Sequence, residues 1–114
     1  MAFLKNKNKS NDNDSFLNIT MTNEGAEYTF LLEGRLDTLT SPDLNAKVNE
    51  VIGDAKKLIF DFKNLDYISS AGLRVLLAAT QNMEGKGETV VRNVSNDVMD
   101  IFEITGFSMM FNIE

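Results

Sequence analysis

The apolar positions of this chain change period several times, and the changes divide it into elements. From Phe16 to Met21 they alternate weakly, Leu17, Ile19 and Met21 against Phe16, Asn18 and Thr20, which predicts a strand. Asn23-Glu24-Gly25 is a turn signal, and Glu27 to Leu32 alternates again with Tyr28, Phe30 and Leu32 on one face. The two runs predict an antiparallel hairpin. Gly34-Arg35-Leu36-Asp37 closes the second strand. Ser41-Pro42-Asp43 then marks a helix start, with Ser41 as cap, Pro42 at the first helical position and Asp43 near the positive end of the dipole. Leu44, Val48, Val51, Ile52 and Ala55 share one helical face, and Gly53 marks its end.

Lys57 to Phe62 is a near-continuous apolar run, suited to the centre of a sheet. A short loop is expected after it, then the pair Ser69-Ser70, then a strongly apolar helix from about Ala71 to Met83. Gly85-Lys86-Gly87 ends that helix, and Thr89-Val90-Val91 begins another strand. Ser95 or Asn96 caps a third helix with Val98, Ile101, Phe102 and Thr105 on one face, and Gly106 stops it. Met109 to Ile113 is expected to form a short extended segment. The order β-β-α-β-α-β-α predicts a single α/β domain: a mixed sheet of about four strands with helices packed mainly on one face.

Composition narrows the chemistry. The 114 residues suit one domain with a modest core, 43% of them hydrophobic and 25% charged. There is no cysteine and no histidine. That removes disulfides, thiolate chemistry, the Ser-His-Asp mechanism and His-based zinc sites. A net charge of −6 argues against nucleic acid as a direct partner and for proteins. No apolar run approaches the roughly 18 residues of a membrane span. Met1-Ala2-Phe3-Leu4 runs directly into Lys5, without the apolar core of a signal peptide, so the expected location is the cytoplasm. Residues 1–14, mostly Lys, Asn, Ser and Asp after the first four, are expected to form a flexible polar tail ahead of a domain over residues 15–114.

The serine pair is the most informative local feature. Hydroxyls at a helix start cap free backbone N–H groups. A phosphate there meets the positive end of the dipole, so the position can carry a phosphoserine at low electrostatic cost. One serine can cap while the other stays exposed. Gly72, two residues on, costs up to about 1 kcal/mol against Ala in a helix. Its expected uses are a close backbone approach and an open surface around Ser70. Asp61 lies within one expected strand and Asp37 ends another, so Asp37, Asp61 and Asp66 are not expected to form a metal site. Gly85-Lys86-Gly87 lacks the spacing and following Ser/Thr of a phosphate-binding loop. No catalytic constellation, and no cofactor, is expected.

Four segments together resemble the STAS domains of the anti-sigma factor antagonist family, over about Phe16 to Ile113. They are Glu33-Gly34-Arg35-Leu36-Asp37, Leu58-Ile59-Phe60-Asp61-Phe62, Asp66-Tyr67-Ile68-Ser69-Ser70-Ala71-Gly72-Leu73, and Val98 to Phe107. The resemblance implies a non-enzymatic partner switch. The unphosphorylated antagonist binds an anti-sigma factor that is also a serine kinase of GHKL type, and so frees a sigma factor. Phosphorylation releases the partner, and a metal-dependent serine phosphatase reverses the modification. Carried over by position, the phosphorylated residue is Ser70, with Ser69 the alternative because it stands where many members have Asp. The implied partner-binding patch comprises Asp37, Ser69, Ser70 and Gly72. The alternative reading is an unphosphorylated STAS scaffold subunit of a stress-sensing or lipid-transport complex.

Overall fold

The computed structural model describes residues 16–114. The tail expected over residues 1–14 lies outside the described residues. Strand β1 (Leu17–Glu24) pairs antiparallel with β2 (Glu27–Leu36) through the expected hairpin. Helix α1 (Ser41–Val51) leads to β3 (Lys57–Ile68), helix α2 (Ser70–Met83) to β4 (Glu88–Arg92), and helix α3 (Asn96–Thr105) with a 3-10 turn (Phe107–Met109) to β5 (Asn112–Ile113). The sheet order is β1-β2-β3-β4-β5, and every pair after the hairpin is parallel.

The sheet therefore has five strands where about four were expected. The fifth is the short segment near the C-terminus, which pairs Val90 with Asn112 and Val91 with Ile113. Successive parallel crossovers all step the same way along the sheet. With the usual right-handed connection, that puts the helices on one face.

Period two in the strands and period 3.6 in the helices meet in a single core. Phe30 and Phe60 are register partners whose rings stack 5.4 Å apart. Phe62 meets Phe102 of α3, and Phe102 meets Phe111. Leu44 and Val48 of α1 and Leu73 and Leu76 of α2 are buried in the same cluster. The opposite face of the sheet is polar on β1, at Asn18, Thr20 and Thr22, and at the strand starts, where Glu27, Lys57 and Glu88 are in register, around a buried apolar pair, Ile59 and Val90.

Two local expectations need correction. The segment expected as a loop after Phe62 is strand as far as Ile68, because the end of β2 continues the ladder: Glu33 with Asn64, Gly34 with Leu65, Arg35 with Tyr67 and Leu36 with Ile68. Register shifts between Leu31 and Glu33 and between Gly34 and Arg35 break the simple alternation there. The cap position of α1 is Thr40, one residue before the expected Ser41. Ser41 is instead the first helical residue, with its backbone N–H and hydroxyl both donating to the Asp37 carbonyl.

Candidate functional site

The C-terminal ends of β2 and β3 bring two sequence-distant segments together. Gly34, at φ +110, lies within β2 at the second register shift, two residues before the strand ends. A Cβ there would overlap the Phe16 carbonyl, which accepts a 2.7 Å hydrogen bond from the Arg35 N–H, so glycine is required for this close approach. Asp37 then organises the turn into α1. Its Oδ1 accepts from the N–H groups of Leu39 and Thr40 at 3.0 and 3.1 Å, and its own N–H donates to Thr40 Oγ1 at 2.9 Å. Thr40 Oγ1 donates in turn to the Arg35 carbonyl at 2.8 Å. Asp37 is only 9% exposed, and the residues that this turn offers to solvent are Thr38 and Leu39, the latter 74% exposed.

The start of α2 is fastened to the same turn. The Ser69 N–H donates to the Leu36 carbonyl at 2.9 Å. Ser69 is the cap, with extended backbone angles (φ −102, ψ 176), and its Oγ accepts from the Gly72 N–H at 3.5 Å, the long end of the range. Ser70 follows as the first helical residue and is exposed.

Gly72 is buried. A Cβ on it would lie 2.7 Å from Leu36 Cγ, 2.9 Å from Ile68 Cγ1 and 3.0 Å from the Leu36 carbonyl oxygen. The close approach expected of this glycine is present, but the open surface is not. Gly72 faces inward and lets the helix start sit against the ends of β2 and β3.

Sequence reasoning placed Asp37, Ser69, Ser70 and Gly72 in one patch, and the fold brings their segments side by side. Ser70 is the exposed member, while Asp37 and Gly72 work from beneath. Three further residues were missed. Arg35 stacks over Tyr67 with its guanidinium carbon 4.3 Å from the ring centroid, and its Nε lies 3.6 Å from Asp37 Oδ2. Leu39 is the third, an exposed apolar side chain on the turn that Asp37 organises. The Arg35–Tyr67 pair depends on register across the bulge, which single-chain periodicity does not reveal.

Beside Ser70, an open groove of about 370 Å³ runs between α1 and α2, lined by Thr38, Ser41, Pro42, Asn45, Ala71, Arg74, Val75 and Ala78. Arg74 is the one charged residue in that lining. Asp61 lies elsewhere, where its Oδ1 accepts from the Lys63 N–H and from Asn93 Nδ2. Among the described residues no group of three or more His, Cys, Asp or Glu side chains is placed to hold a metal ion. Among them, too, no helix is long and apolar enough to cross a membrane. The site offers an exposed hydroxyl on a helix terminus, beside a rigid turn and a shallow groove. That arrangement suits docking and modification.

Known proteins share this architecture. Residues 18–114 match the family model described as the STAS domain. BtrV of Bordetella bronchiseptica, a candidate anti-sigma factor antagonist, is 33% identical over 99 residues, which cover 85% of each chain. An anti-sigma factor antagonist from Mycobacterium paratuberculosis superposes with a TM-score of 0.78 at 18% identity, covering 86% of this chain and 85% of that one. The Bacillus cell fate determinant SpoIIAA in its phosphorylated form gives a TM-score of 0.67 at 22% identity, covering 87% of this chain and 91% of that one. The matched family, the identity with BtrV and the shared architecture establish that the chain belongs to the STAS-domain anti-sigma factor antagonist family.

Proposed function

We propose that this protein is a phosphoserine-regulated partner switch, with Ser70 as the modified residue. The observation that carries the reading is the exposure of Ser70 in the first helical turn, immediately after a residue that already supplies the cap. A phosphate on Ser70 leaves the capping hydroxyl of Ser69 in place and meets the favourable end of the helix dipole. The solved phosphorylated and unphosphorylated forms of SpoIIAA support carrying the idea to this chain.

Unmodified, the patch around Ser70, Thr38 and Leu39 docks on an anti-sigma factor that is also a GHKL-type serine kinase. Asp37, Ser69 and Gly72 set the backbone beneath it. Phosphorylation adds about −1.5 to −2 charges to a surface matched to a hydroxyl, and the partner leaves. A metal-dependent serine phosphatase restores the binding form. The protein acts by binding and catalyses nothing itself, and the exchange takes place in the cytoplasm.

Ser70→Asp tests this reading. A carboxylate at the helix start leaves the free domain as stable as wild type or slightly more so. Titration calorimetry against the kinase partner should show at least tenfold weaker binding, about 1.4 kcal/mol. Thermal unfolding of the same variant separates lost docking from lost folding. Unchanged affinity in a folded Ser70→Asp domain sinks the electrostatic switch.

A further inference from the structure

The geometry points to Arg74 as the internal receptor for a phosphate on Ser70. The inference rests on the reading of Ser70 as the phosphate acceptor and adds a second component to it. Ser70 and Arg74 are four residues apart on α2 and both are exposed, so they are neighbours on one helix face. Long helical side chains can lean back toward the helix N-terminus, so the Arg74 guanidinium, which lines the groove, is within reach of a phosphate on Ser70.

Competition for that guanidinium is low. Arg35 is engaged by Asp37 and Tyr67, Lys57 by Glu88, Arg92 by Glu114 and Lys86 by the Ile52 carbonyl. Among the described residues Arg74 has no ion pair with a carboxylate, and the first turn of α2 contains no acidic residue. The planar fork of an arginine suits bidentate pairing with phosphate oxygens.

Phosphorylation then does more than add negative charge. It draws Arg74, the one charged residue lining the α1–α2 groove, back onto the helix start. The groove loses its cation as the neighbouring surface gains an anion.

The test uses full-length protein with phosphoserine installed at position 70 during translation, as wild type, Arg74→Lys and Arg74→Gln. Phosphorus NMR titration reads the second ionisation of the phosphate. A guanidinium in contact favours the dianion, so Arg74→Gln should raise that pKa by about 0.5 unit, with Arg74→Lys in between. The charges of Arg35, Asp37 and Asp66 on the flanking elements are the same in all three proteins and cancel from the comparison. Circular dichroism confirms that each is folded. Identical titrations for wild type and Arg74→Gln overturn the inference. Because the phosphoserine is placed by translation, that outcome is independent of whether a cellular kinase uses Ser70. Failure of the phosphoswitch reading would appear instead as native protein carrying no phosphate at this position.

Discussion

Helices α2 and α3 begin in nearly the same way and end up suited to different tasks. Each is capped by a serine with extended backbone angles whose Oγ accepts from the N–H three residues on: Ser69 from Gly72 at 3.5 Å, Ser95 from Val98 at 3.2 Å. Each places an exposed polar residue next, Ser70 or Asn96. The surroundings then diverge. Four residues after that polar position stands Arg74 in α2 and Asp100 in α3, and α3 has Asp97 in its first turn where α2 has no acid. A new anion would have a cation one turn on at the first helix and carboxylates at the second. The cap is general helix chemistry. What distinguishes α2 is the second hydroxyl, the cation one turn on and the seat against the ends of β2 and β3.

The seat gives the largest expected effect. At the equivalent third helical position α3 buries Val98, whereas α2 has no room for even a methyl group at Gly72. Gly72→Ala should cost about 1–3 kcal/mol by overpacking against Leu36 and Ile68, read from the midpoint of urea denaturation. Gly53→Ala, where a Cβ meets nothing within 4 Å, should stay within about 0.5 kcal/mol of wild type. Equal effects at the two glycines would break the claim that α2 is the tightly seated helix.

The caps come next. Ser95→Ala should cost about 1 kcal/mol, and Ser69→Ala, whose hydrogen bond is longer, about 0.5 kcal/mol, both by denaturation. A larger loss at Ser69 would mean that its hydroxyl carries more of the site than the geometry assigns. The smallest effect should come from deleting residues 1–14, a segment proposed to add no core contacts. The melting midpoint should move by less than about 2 °C, and partner affinity should hold.

Much of this comparison was legible in the chain. Ser69-Ser70 before an apolar run, and Ser95-Asn96 before Val98, marked both helix starts, because capping and helical period are local properties. Gly72 was legible as a close approach, since a glycine in a first turn costs stability unless something needs its missing side chain. Its direction was not legible: only the packing of Leu36 and Ile68 shows that it faces inward. The strand character of Lys63 to Ile68 was hidden by three polar residues: Asn64 pairs with Glu33 of distant β2, while Lys63 and Asp66 fall at the two register shifts. Arg35 over Tyr67 was hidden for the same reason. Asp37 drew notice as a motif residue, but its role as an almost buried turn anchor emerges only when Leu39 and Thr40 fold back onto it. Non-local pairing is what one sequence conceals.

The exposed hydroxyl after the α2 cap is the one we propose the cell modifies. Phosphopeptide mapping of protein purified from its native cells tests it most directly, with Ser70→Ala and Asn96→Ala expressed alongside. A fraction of wild type should carry one phosphate on Ser70, with the same modification in Asn96→Ala and none in a folded Ser70→Ala. Phosphate that persists in Ser70→Ala and maps to Ser69, or to the start of α3, would contradict it.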